Sequence, residues 1–196
     1  MLNEPRKRLA VLISGRGSNM EAILDATRQE NYPAEVVLVI SDNPEAKGLE
    51  TAAEANIDAF AFARSDYSSK SHHEAAISET IDAYDIHLIC LAGYMRILSA
   101  DFTHRYENRI INIHPSLLPK FKGLDTHARA IQAGETEHGC TIHHVNAEMD
   151  GGEIIAQTTA PVLPDDTPDT LAARVLVEEH RLYPDTIRQL CASTAD

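Results

Sequence analysis

The segment Ile110-Ile111-Asn112-Ile113-His114-Pro115-Ser116-Leu117-Leu118-Pro119 joins an apolar run of strand type to two polar side chains placed two residues apart. On a strand that spacing sends Asn112 and His114 out of the same face, where both can address one reacting atom. Pro115 and Pro119 forbid a regular continuation, because proline fixes φ and has no amide donor. The pair is therefore expected at the carboxyl end of a strand that opens into a shaped loop, the place where open α/β sheets bind ligands. Taken alone, an Asn-x-His pair more often marks two polar groups satisfied by neighbouring backbone.

Moving upstream, Arg8 to Ser14 is a continuous apolar run, the mark of a strand buried on both faces. Gly15-Arg16-Gly17-Ser18-Asn19 follows, and Met20 to Ala26 shows helical periodicity, with Ser18 or Asn19 as the expected N-cap. Strand, glycine turn and helix form an anion-binding arrangement, because exposed amides and the positive end of the helix favour a phosphate. Met20 occupies the third position of a G-x-G-x-x-G pattern, so a monophosphate is expected in place of a dinucleotide. The two glycines are equally compatible with a plain tight turn. The alternation continues with strands at Glu35–Ser41, Asp58–Phe62 and Ile86–Ala92, and helices at Ala46–Ala55 and Ser71–Tyr84. Strands separated by helices of that length imply right-handed crossovers and a parallel sheet. Arg96, alone among apolar neighbours after Gly93, reads either as a charged element in a pocket wall or as a side chain snorkelling at the core's edge.

Downstream, Lys120 to His127 reads as a loop and about Ala128 to Ala133 as a helix. Gly139–Val145 and Ile154–Ala160 read as an antiparallel strand pair around a turn ending in Gly151-Gly152, and Pro168–Leu190 as a last helix capped by Thr167. The fold class is α/β: a doubly wound, mostly parallel sheet with helices on both faces and an antiparallel C-terminal extension. Residues 1–196 are expected to form one domain.

Composition narrows the function. Apolar residues make up 43% and charged residues 24%, as in globular proteins, and the formal charge of −13 argues against a general nucleic-acid binder. No apolar run approaches the roughly 20 residues that span a bilayer, and Met1 to Arg8 lacks a signal-peptide core, so a cytoplasmic location without membrane partners is expected. Cys90, Cys140 and Cys191 are widely spaced and suggest neither disulfides nor a zinc knuckle. Among ten histidines, His127, His138, His143 and His144 crowd one region, yet adjacent His143 and His144 leave opposite faces of a strand. No metal is expected, and His143 is assigned a core or pocket role. Asp150 is the first polar candidate to meet Asn112 and His114, although an aspartate before two glycines also suits turn chemistry, and Glu148 is expected to be solvated.

Four blocks then stand in a telling order: Ile13-Ser14-Gly15-Arg16-Gly17-Ser18-Asn19-Met20, Leu91-Ala92-Gly93-Tyr94-Met95-Arg96-Ile97-Leu98, Asn112 to Pro119, and Met149-Asp150-Gly151-Gly152. From about Lys7 to near the C-terminus this pattern resembles the folate-dependent formyltransferases. The Gly15–Asn19 block and the short chain are similar to the members that formylate glycinamide ribonucleotide. The resemblance implies a Rossmann-like variant in which Asn112, His114 and Asp150 are catalytic. It implies that Gly17, Ser18 and Asn19 hold the ribonucleotide phosphate, that Lys120 and Glu179 touch the ribonucleotide, and that Met95, Arg96, Ile97, Leu98, Val145 and Glu148 line the folate pocket. The phosphate-binding half would run over about 8–106, and the folate-binding and catalytic half over about 107–190. It also implies 10-formyltetrahydrofolate as co-substrate, no metal, a monomer or homodimer, and direct attack of the amine through a tetrahedral oxyanion. Leu176, where a polar residue often faces substrate, and Asp125, in place of a histidine, depart from the family pattern.

Three other readings compete. Methionyl-tRNA formyltransferase shares the Asn112 block but calls for a further C-terminal nucleic-acid-binding domain and a positive surface. Formyltetrahydrofolate hydrolase calls for an N-terminal regulatory domain, for which the residues before Leu9 leave no room. A nucleotide-binding sensor of the same fold has no evident need for Asn112, His114 and Asp150 together.

Overall fold

A computed structural model of the chain describes residues 5–192. Its elements run β1 Lys7–Ile13, α1 Ser18–Thr27, β2 Ala34–Ser41, α2 Lys47–Glu54, β3 Asp58–Ala61, a single 3-10 turn at Arg64–Asp66, α3 Lys70–Ala83 and β4 Leu88–Leu91. They continue with α4 Ala100–Arg105, β5 Ile110–His114, α5 Thr126–Gln132, β6 Glu137–His144, β7 Ile154–Pro161 and α6 Pro168–Ala192. The strands form one sheet in the order β3-β2-β1-β4-β5-β6-β7. The first five are parallel, and β6 and β7 join antiparallel. The expected architecture is therefore the one observed.

Strand alternation builds two cores. Leu9, Val11 and Ile13 of β1 pack on one face with Met20 and Ile23 of α1 and with Leu171, Val175, Tyr183 and Ile187 of α6. Ala10 and Leu12 face the other way, against Ile77 and Ile81 of α3 and Phe102 and Tyr106 of the α4 region. The Tyr183 hydroxyl donates to the carbonyls of Leu91 (2.9 Å) and Ile111 (3.3 Å), pinning α6 beneath the neighbouring strands β4 and β5.

The order in which successive strands are added reverses between the parallel neighbours β1 and β4, so the loops that leave them part at a topological switch point. The Ser14 hydroxyl ties those loops together by accepting the Met95 amide at 2.8 Å and donating to Asp42.

Several boundaries move. β4 is shorter than the apolar run Ile86–Ala92, because only Leu88–Leu91 pair with β1 and only Ile89–Leu91 with β5, and α6 runs two residues past Leu190. Thr167 does cap α6, accepting the Thr170 amide at 3.2 Å. The N-cap of α1 is corrected: it is Gly17, at φ 78°, without a side-chain cap. A Cβ there would sit 3.2 Å from the Met20 methyl and 3.3 Å from the Gly48 Cα, and the left-handed φ disfavours any L side chain. Ser18 and Asn19 fall inside the first turn, and no side chain covers its open amides.

Candidate active site

Asn112 leaves β5 opposite His143 of β6, with Asn112 Nδ2 and His143 Nε2 3.2 Å apart. On the other side of the ring, His143 Nδ1 lies 2.8 Å from the His144 carbonyl. A carbonyl only accepts, so Nδ1 carries the hydrogen. The ring is 2% exposed, and burial lowers its basicity against the smaller opposing pull of the His144 carbonyl and Asp150. A neutral ring leaves a lone pair on Nε2, which accepts from the Asn112 amide. The nitrogen end of Asn112 is thereby held, with one N–H still to give.

His114 follows two residues on and is buried. Its Nε2 lies 3.0 Å from the Phe121 carbonyl, so Nε2 donates there, and Nδ1 is turned to Asp150 Oδ2 at 3.5 Å. Asp150 Oδ1 is 3.8 Å from His143 Nε2, which closes a cluster of carboxamide, two imidazoles and carboxylate drawn from β5, β6 and the turn beyond.

Local backbone fixes that carboxylate. Asp150 sits at φ 49° and accepts the Gly123 amide at 2.8 Å, which joins its turn to the loop after β5. Gly152 packs directly on β6: a Cβ there would fall 1.7 Å from the His144 carbonyl oxygen. Turn chemistry and convergence are thus both true of Asp150. Lys122 and Glu148 add a second link between the two loops, with Nζ to Oε1 at 2.8 Å, and Glu148 is exposed as expected.

The glycine turn forms a separate corner. Asn19 Nδ2 donates to Glu179 Oε2 at 2.6 Å, and both residues are buried. Burial raises the Glu179 pKa, partly countered by that hydrogen bond. Asn19 Oδ1 is buried without a partner. First-turn amides, the Ser18 side chain and this orphaned oxygen together suit an anion carrying hydroxyl groups.

A cleft of about 270 Å³ is lined by Arg64, Lys70, His73, Glu74, Tyr94, Arg96, Ile97 and Leu98. Arg96 Nε donates to buried Asp42 at 2.6 Å, which leaves its terminal nitrogens free of that contact. Ile97 at this rim and Met95 before Arg96 are largely exposed, and Val145 packs at the edge of the α3-side core. Lys120 is engaged elsewhere, with its ammonium 2.9 Å from each Glu135 carboxylate oxygen. Asp125 heads α5 at φ 56°, and Leu176 is half-buried on α6.

Sequence reading left His143 between core and pocket, and did not single out Asp42, Arg64 or Lys70. Their positions carry no periodic or motif signal, and only folding brings them to the site. His127 and His138 pack edge to face with ring centres 5.1 Å apart, and among the described residues no group of three or more potential ligands could hold a metal ion. No helix among them is long and apolar enough to cross a membrane.

The chain is similar to known proteins over most of its length. The formyl transferase family model matches residues 7–187. A phosphoribosylglycinamide formyltransferase of Haemophilus influenzae is 44% identical over 182 residues, covering 93% of this chain and 86% of that protein. The trifunctional purine biosynthetic protein adenosine-3 of Drosophila melanogaster is 45% identical over 197 residues, and the chain spans 15% of its length. The crystal structure of phosphoribosylglycinamide formyltransferase from Brucella melitensis superposes with a TM-score of 0.93 at 50% identity, covering 98% of this chain and 99% of that one.

Proposed function

The chain belongs to the formyl transferase family, and from that premise we propose that it is a one-carbon transferase of purine biosynthesis that moves the formyl group of 10-formyltetrahydrofolate to the amine of glycinamide ribonucleotide, with Asn112, His114 and Asp150 as its reacting groups. One observation carries this reading: the three side chains converge, His114 Nδ1 and Asp150 Oδ2 being 3.5 Å apart and Asn112 joined to the same cluster through His143. No covalent enzyme intermediate is needed.

The acceptor amine attacks the formyl carbon, a carbon–nitrogen bond forms, and the carbonyl electron pair moves onto oxygen. Donors preorganised toward that oxygen are worth about 3 to 4 kcal/mol each. Asn112 offers its remaining N–H, and His114 offers Nδ1–H when Asp150 is ionised beside it. Collapse of the intermediate breaks the bond from the formyl carbon to the folate nitrogen. The proton lost by the amine reaches that nitrogen, with Asp150 as the relay through a water.

Gly17, Ser18 and Asn19 hold the phosphate end of the acceptor at the first turn of α1, and Glu179 takes its sugar hydroxyls beside Asn19. Lys120 reaches the ribonucleotide only by leaving Glu135. Folate enters by the cleft that Arg96, Ile97 and Leu98 line, where Arg64 and Lys70 add positive charge for its carboxylates, and on this reading Met95, Val145 and Glu148 extend its wall. Residues 107–190 supply the reacting groups, and residues 8–106 supply the phosphate corner and part of the folate wall.

Absorbance of the formyl donor, followed with and without glycinamide ribonucleotide, tests the reaction. Turnover that requires the ribonucleotide is the expected result. Turnover without an acceptor would make the chain a hydrolase, and silence under both conditions would leave it a binding module.

A further inference from the structure

Arg16 stands in the turn between β1 and Gly17, exposed, with no hydrogen bond or ion pair among the described residues. It lies close enough to His180 of α6 to lower that ring's basicity, a smaller effect than burial and opposed by Glu21. His180 Nε2 is itself buried without a partner, as is Asn19 Oδ1 on a side chain that is 9% exposed. Buried polar atoms are nearly always satisfied, so two orphans around one helix start mark a corner shaped for something else.

Charge at this corner needs a source. Glu21 and Glu179 bring negative charge, and Leu176, one turn before Glu179 and His180 on α6, brings no polar group. A phosphate monoester held there by amides alone would face two carboxylates. Arg16 is the basic side chain that the turn itself contributes.

We propose that Arg16 is a substrate-binding residue whose guanidinium closes over the ribonucleotide's phosphate while the first turn of α1 holds it from below. The proposal rests on the reading of the acceptor given above. A planar guanidinium donates to two phosphate oxygens at once, which a lysine cannot reproduce. The cost is side-chain freedom, which an unpaired, exposed arginine still has to lose. Arg16 thus sets selectivity for phosphorylated over unphosphorylated acceptors, and it takes no part in the chemical step.

Steady-state kinetics on the full chain test this with Arg16→Gln, using glycinamide ribonucleotide and the corresponding riboside without phosphate. KM for the ribonucleotide should rise about tenfold or more, the loss of one charge-assisted contact, with kcat little changed. The riboside should be used equally well by both proteins, and Arg16→Lys should recover only part of the loss. An unchanged KM, or the same rise with both acceptors, would overturn the proposal. Calorimetric titration with inorganic phosphate keeps the two readings apart, because it needs no turnover: weaker binding by Arg16→Gln supports the clamp even if the acceptor is another phosphate ester, and equal binding defeats it.

Discussion

Asn112 and His143 are partners in the β5–β6 ladder, and their side chains meet at 3.2 Å with the direction of the hydrogen bond set by a third atom, the His144 carbonyl. The backbone of one histidine thus selects the tautomer of its neighbour, and that tautomer selects the orientation of an amide. Replacing His143 by alanine should free Asn112 to rotate. We expect kcat to fall by about tenfold or more while both KM values stay within about twofold, since the acceptor and donor corners are untouched. Equal losses in kcat and binding would place His143 in packing alone.

Asp150→Asn and His114→Ala address the facing pair. On the proposed mechanism each removes a group that acts in the transition state, so kcat should drop by about a hundredfold or more with modest changes in affinity. Near-normal turnover in both variants would remove the mechanism.

Asn19→Ala separates binding from chemistry at the other corner. It deletes the donor to Glu179 and leaves a buried carboxylate unpaired, so KM for the ribonucleotide should rise and the melting temperature should fall, with the folate KM unchanged. A folate KM that rises in step would show the two corners to be one site.

Acid should destabilise the fold before general carboxylate titration is complete. Burial depresses the pKa of His127, His138, His143 and His180, and that of His138 is pushed down to about 4. The unfolded chain then binds protons that the native state refuses, so stability present above pH 6.5 is lost as pH falls toward about 4. Glu179, shifted upward, acts in the opposite sense but is one group against four. Melting curves should drop by several degrees across this window, and His138→Gln should flatten the slope; a level profile in the parent would refute the assignment.

Gly152→Ala should be severe and Gly15→Ala mild in thermal stability. A Cβ at 152 enters the His144 carbonyl, whereas one at 15 meets nothing within 4 Å. Comparable melting temperatures for the two variants would contradict this close approach.

The sheet was readable because buried parallel strands are continuous apolar runs, and Leu88–Leu91 and Arg8–Ile13 contain little else. Asn112 and His114 were readable as a pair from two-residue spacing. The start of α1 misled, since Ser18 and Asn19 are good caps by type, and only the crowding of Gly17 against Gly48 shows why glycine takes that place. Asp150 could be named but not placed, because it stands 36 positions after His114. Asp42, Lys70 and His143 owe their positions to long-range pairing that no local pattern encodes.

Asp42 is a hinge pin shared by two rooms. One oxygen takes the Ser14 hydroxyl at the threshold of the glycine turn, and the other takes Arg96 at the wall of the cleft that Arg64 and Lys70 also line. A ligand that reorients either contact necessarily alters the other, and reciprocity then requires that whatever factor the first arrival lends to the second be returned in equal measure when the order of arrival is reversed.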